Sequence, residues 1–163
     1  MVDNQVMRVL DAFRRQSLRI VTAESCTGGL IAAALTEIGG SSDAVEGGFV
    51  TYSNALKQSA LGVQAATLQI HGAVSEATVA EMAEGALRSA PDASVSIAVS
   101  GVAGPGGGSP DKPVGLVCFG WMRRGHAALS AARNFPGDRR AVRAATVGYA
   151  LTLLEQIAAD ASD

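Results

Sequence analysis

Apolar positions along this chain follow two alternating periods, and the alternation lays out a series of helices and strands. Val6, Val9, Leu10 and Phe13 recur at three- and four-residue spacing, which predicts a helix over about residues 4–16. The strand-like run Leu18-Arg19-Ile20-Val21-Thr22-Ala23 predicts the first strand at about 18–23. Leu30, Ile31, Ala34, Leu35 and Ile38 restore the helical stripe, and Gly39-Gly40 closes it. Residues 46–52 read as a second strand. Ser53-Asn54 then caps a short helix that carries Lys57 and ends at Gly62. Ser75 caps a helix with Val79, Met82, Ala83, Ala86 and Leu87 on one face. Residues 95–100 predict a third strand, and 101–113 form the longest irregular segment. Strands at 114–122 and 127–135 flank a hairpin built on Arg123-Arg124-Gly125-His126. A long helix over about 138–159 completes the series.

Helices and strands alternate early, and two strands joined by a hairpin come late. This order predicts an α/β fold: a three-layer α/β/α sandwich around a mixed, mostly parallel five-stranded sheet with one antiparallel strand. The 163 residues suit a single domain spanning 1–163. Because strands closely flank 101–113 on both sides, that segment reads as a functional loop rather than a linker.

Composition narrows the function classes. Hydrophobic residues at 48% and charged residues at 17% describe a globular chain, and the net charge of −2 offers no basic face for nucleic acid. Cys26 and Cys118 lie far apart with no Cys/His cluster, so neither a disulfide framework nor a metal site is expected. The first residues lack a basic n-region and a long apolar core, and no run is long enough to cross a membrane. The expectation is a cytoplasmic protein with no membrane and no nucleic-acid partner. Apolar faces on the first and last helices would serve packing on the domain or on a second copy, as in a homodimer. Lysine is scarce. Only Lys57 and Lys112 occur, and the other eleven basic residues are arginine. A position that keeps lysine in such a chain is a candidate for chemistry that needs a deprotonable amine, which arginine cannot supply.

Three strand ends deliver polar turns to what should be one edge of the sheet, where ligands of open α/β folds bind. The first turn is Glu24-Ser25-Cys26-Thr27-Gly28-Gly29. The second is Tyr52-Ser53-Asn54, followed by Lys57. The third starts at Ser100-Gly101-Val102-Ala103-Gly104 and runs on through Pro105 and three glycines. Ser25 is either a nucleophile or a helix cap, and a nucleophilic serine needs a base. His126 falls in the hairpin at the wrong end of the sheet, and His71 opens a loop before a helix. Lys57 is the better candidate base, provided that burial or a nearby cation lowers its pKa; otherwise it is a surface lysine. Cys26 is a rival nucleophile or a small packing residue. The glycine turns allow close backbone approach, suited to phosphate or a developing oxyanion. Asp138 is a plausible cap for the last helix, and Arg139 could reach a phosphate.

Taken together, Ala23-Glu24-Ser25-Cys26-Thr27-Gly28-Gly29, Tyr52-Ser53-Asn54 with Lys57, Gly72-Ala73-Val74-Ser75, Ser100-Gly101-Val102-Ala103-Gly104-Pro105 and Gly137-Asp138-Arg139 resemble the CinA C-terminal domain family in its stand-alone form. The resemblance runs in order over nearly the whole chain. It implies a nicotinamide-nucleotide amidase that needs no metal or cofactor and hydrolyses nicotinamide mononucleotide to nicotinic acid mononucleotide and ammonia. It further implies Ser25 as nucleophile, Lys57 as general base, Tyr52 as a helper of that pair and Arg139 as the functional arginine, with Arg140 beside it. Cys26, Thr27, Gly28, Gly29, Asn54, Ser100, Gly101 and Gly104 are the substrate-binding positions implied. Ser100 stands where many relatives carry threonine, and the hydroxyl is kept. A nucleotide-binding or regulatory module without turnover is the other expectation, tied to the competence and DNA-damage contexts of the family's name.

Overall fold

Helical spacing becomes helix burial in the computed structural model, which describes residues 2–163. Helix α1 (Val2–Arg15) buries Val6, Val9, Leu10 and Phe13, the stripe that its sequence spacing requires. Strand β1 (Ile20–Glu24) follows, then α2 (Leu30–Thr36), a short 3-10 turn (Ser41–Asp43) and β2 (Val45–Val50). Helices α3 (Asn54–Leu61), α4 (Ala65–His71) and α5 (Glu76–Ser89) come next, then β3 (Val95–Gly101), β4 (Leu116–Arg123), β5 (Leu129–Asn134) and α6 (Arg139–Ala161).

The strands form one sheet in the order β2-β1-β3-β4-β5. β1 pairs in parallel with β2 and β3, and β4 pairs antiparallel with both β3 and β5. Only β4 therefore runs against the others. Alternate side chains along the strands separate two cores. Ile20, Val95, Ile97, Val99, Val117 and Phe119 pack with α1, α2 and α6. Val21, Ala23, Ala98 and Cys118 face α5 and the end of α3. The central strands β1 and β3 are covered on both faces, so nearly every residue along them is buried.

One element is absent from the periodicity. Helix α4 buries no residue fully, so it carries no apolar stripe to read. It is held instead from α5. The Glu81 carboxylate accepts the Gln64 N–H at 2.8 Å and the Thr67 hydroxyl at 2.5 Å. His71, expected in a loop, is the last residue of this helix.

The pairing of α3 with α5 sets the depth of the residue that matters most on α3. Gly85 of α5 lies so close to the Leu61 carbonyl that a Cβ there would overlap it. Gly85→Ala is therefore expected to push α3 outward. Overpacking of this kind costs about 1–3 kcal/mol, read as a Tm lowered by roughly 2–10 °C. Thermal unfolding checks it. Because α3 carries Lys57, that side chain should be displaced with the helix; an unchanged Tm would show that the two helices can separate freely.

Candidate active site

β1, β2 and β3 run in one direction, so Glu24, Val50 and Gly101 end on the same edge of the sheet. At Ser25 the chain is still tied to β3, because its N–H donates to the Val99 carbonyl at 3.1 Å. The chain then turns sharply. Gly28 (φ +59°) and Gly29 (φ +102°) take left-handed conformations that favour glycine. The Gly28 N–H closes the turn on the Ser25 carbonyl at 3.1 Å.

The start of α2 is satisfied from within. Glu24, fully buried, accepts the N–H groups of Gly29 (3.1 Å), Ile31 (3.1 Å) and Ala32 (2.8 Å) and the Thr27 hydroxyl at 2.5 Å. A carboxylate supplied by the preceding strand thus fills the place that an external anion would take. This narrows the oxyanion donors expected across residues 26–29. The Gly28 and Gly29 N–H groups and the Thr27 hydroxyl have internal partners. The buried N–H groups of Cys26 and Thr27 have none.

Lys57 reaches this turn from the opposite side. Ser53 caps α3 by accepting the Leu56 N–H at 3.1 Å, and the helix turns Lys57 inward until only 1% of it is exposed. Its Nζ lies 2.8 Å from Ser25 Oγ, 2.9 Å from the Thr51 carbonyl and 3.2 Å from the Tyr52 carbonyl. A neutral amine has two N–H bonds and one lone pair. Here two carbonyls can accept the N–H bonds, leaving the lone pair facing the serine hydroxyl. Burial pushes the Lys57 pKa below 10.5; a charge on Cys26 would oppose this. Burial, however, pushes the Cys26 thiol up to about 11. That thiol is uncharged near neutral pH, so the opposition lapses. The same protonated thiol makes Cys26 a poor rival nucleophile.

Ser25 and Lys57 open into a pocket of about 250 Å³, whose wall includes Cys26, Tyr52, Ser100, Gly101 and Arg139. Arg139, at the start of α6, donates to the Gly104 carbonyl at 2.8 Å and to the Tyr52 hydroxyl at 3.2 Å. Arg140 does not reach the pocket, although it lines a neighbouring cavity with Arg139. Of the other positions expected to bind substrate, Thr27, Gly28, Gly29, Asn54 and Gly104 are not in the wall of the Ser25 pocket either. Asn54 opens α3 with its carbonyl bonded to Gln58, and Gly104 contributes its carbonyl to Arg139. Asp138 caps α6 by accepting the Ala141 N–H at 2.9 Å. The histidines are elsewhere: His71 ends α4, with its carbonyl bonded to Lys112 Nζ, and His126 sits in the β4–β5 hairpin. Among the described residues no group of three or more His, Cys, Asp or Glu could hold a metal ion, and no helix is long and apolar enough to cross a membrane.

Sequence reasoning did not assign roles to four residues that build this site. Ala73 and Val74 complete the wall ahead of α5. Glu24 carried a legible signal, a carboxylate at a strand end just before a helix with threonine three positions on. Arg143 carried almost none. From the second turn of α6 it donates to the Cys26 carbonyl at 3.1 Å and to the Thr27 carbonyl at 3.2 Å, across more than a hundred residues of chain.

A family model described as the CinA C-terminal domain matches residues 3–158. The chain is 51% identical over 140 residues to the nicotinamide-nucleotide amidohydrolase PncC of Enterobacter agglomerans, covering 86% of this chain and 85% of that protein. It is 45% identical over 160 residues to the protein of the same name from Escherichia coli strain K12, covering 96% of each. A crystal structure of a competence-damaged protein (CinA) superfamily member from Klebsiella pneumoniae superposes with a TM-score of 0.93 at 41% identity, covering 98% of this chain and 99% of that one.

Proposed function

The chain belongs to the CinA C-terminal domain family, and from that premise we propose that it is a nicotinamide-nucleotide amidase that works through Ser25 and Lys57. The substrate is the carboxamide of nicotinamide mononucleotide; the products are nicotinic acid mononucleotide and ammonia. The observation that carries the mechanism is the 2.8 Å contact between Ser25 Oγ and Lys57 Nζ at the bottom of a pocket with no histidine in its wall.

The chemistry runs in two halves. Ser25 Oγ attacks the carboxamide carbon while its proton moves to Lys57 Nζ. The carbonyl oxygen becomes an oxyanion, received by the Cys26 N–H group. As the C–N bond breaks, Lys57 returns the proton to the departing nitrogen and ammonia leaves. Water then attacks the ester carbon, giving its proton to Lys57, and the carboxylate leaves as Ser25 regains its hydrogen. Thr51 and Tyr52 hold the amine through their carbonyls in both halves. Tyr52, 62% exposed, stands at the rim with its hydroxyl bonded to Arg139. The guanidinium fork ties the phenol to the Gly104 turn.

The direct test is ammonia release from nicotinamide mononucleotide by the purified protein, with EDTA making no difference. Tight binding of the mononucleotide without product after long incubation would instead identify a binding module. Comparison with free nicotinamide and NAD sets the substrate range.

A further inference from the structure

We propose that Arg143 is a positioning residue for the oxyanion-binding turn, aiming the Cys26 N–H group at the reacting carbonyl through the peptides that it holds. This rests on the amidase reading above and adds a residue to it.

The argument starts from an imbalance of hydrogen bonds. Buried backbone N–H groups are nearly always paired in folded proteins. In the turn after β1, the Ser25, Gly28 and Gly29 N–H groups obey that rule, donating to Val99, Ser25 and Glu24. The N–H groups of Cys26 and Thr27 do not, although Cys26 is almost fully buried and Thr27 fully so. Of the two, Cys26 lines the Ser25 pocket whereas Thr27 is fully buried, so the Cys26 N–H is the orphan donor within reach of a charge that exists only during reaction.

Their direction is set by the carbonyls. A trans peptide is planar, with its C=O and N–H pointing opposite ways. The peptide joining Ser25 to Cys26 is held through the Ser25 carbonyl by the Gly28 N–H, so the Cys26 N–H faces away from that bond. The peptide joining Cys26 to Thr27 is held through the Cys26 carbonyl by Arg143 Nε, which aims the Thr27 N–H to the other side. Arg143 Nη2 holds the next carbonyl, that of Thr27, so one rigid guanidinium fixes two successive peptides. Arg143 has no carboxylate within salt-bridge distance; the ion pairs among the described residues involve Arg8, Arg14 and Arg19. The units that it holds carry the Thr27 and Gly28 N–H groups, and the Gly28 N–H in turn grips the Ser25 carbonyl, whose peptide presents the Cys26 N–H. A lysine could reach only one carbonyl, as a point charge without the fork.

Arg143 also lines a cavity of about 670 Å³ with Arg139 and Arg140, so contact with the substrate phosphate is the rival role. The experiment separates the two. Arg143→Lys and Arg143→Gln are assayed with nicotinamide mononucleotide and with its dephosphorylated riboside, after circular dichroism has established that they fold. A misaimed oxyanion site should lower kcat by about 10–100-fold, with KM within about threefold and the loss equal for both substrates. Methylguanidine added to Arg143→Ala should restore part of kcat. A second readout does not depend on the natural substrate: Ser25 labelling by a fluorophosphonate. There the Oγ–P bond forms, the P–F bond breaks, fluoride leaves and Lys57 takes the proton. Labelling should slow in each variant by a factor similar to that in kcat. Unchanged kcat and labelling would overturn the proposal. So would a KM rise confined to the phosphorylated substrate, which would make Arg143 a phosphate ligand. If the wild type releases no ammonia but labels at Ser25, the amidase reading fails while the labelling comparison still decides the role of Arg143.

Discussion

Ser25→Ala is expected to lower kcat for ammonia release by at least about a thousandfold, the scale on which loss of a nucleophile acts in serine hydrolases. Cys26 should not take over, because its thiol, raised to about 11, supplies little thiolate near neutral pH. The fold should survive. The Ser25 backbone bonds to Val99 and Gly28 are independent of the hydroxyl, so Tm should stay within a few degrees of wild type. Intact-protein mass spectrometry during turnover should detect an adduct of the nicotinoyl group with its ribose phosphate on wild type and none on the variant. Retention of full activity would remove Ser25 from the mechanism.

Lys57→Met should lose roughly 10²–10⁴ in kcat, the usual contribution of a general base. Lys57→Arg should be no better, since a guanidinium does not give up its proton in this range. In the wild type, kcat/KM should rise with pH as Lys57 loses its proton, with the midpoint below 10.5, because burial lowers that pKa. A rate independent of pH from neutrality to 10.5 would count against a titrating amine base. Stability carries the same signature with a definite sign. The unfolded chain holds the Lys57 proton up to about 10.4, whereas the folded chain releases it earlier. Below the folded pKa the penalty for a buried ammonium is fully present. As pH rises from the folded pKa toward the unfolded one, the penalty disappears. Wild type should therefore gain stability relative to Lys57→Met across that window. At neutral pH the variant should be at least as stable as the active enzyme, provided the freed Thr51 and Tyr52 carbonyls find water.

Much of this site was written in local sequence. Ser53 and Ser75 cap their helices because a serine before a helical stripe accepts the third N–H, a relation between residues three apart. Lys57 stood out because this chain otherwise uses arginine almost throughout. Helix α4 was not legible, because its support is the Glu81 carboxylate on another helix rather than a stripe of its own. The glycines after Ser25 were legible as a turn, but their N–H groups were not legible as already satisfied. That followed only when Glu24 folded under the start of α2.

The sequence by itself determined the order of elements other than α4 and the meeting of three polar turns at one sheet edge. Each depends on periodicity or on residues a few positions apart. Tertiary structure decided which groups in those turns remain available. Burial of Lys57 against Ser25 and the grip of Arg143 on Cys26 and Thr27 both join distant segments of chain. Hydrogen bonding and desolvation depend on distances of a few ångströms, and only packing sets those.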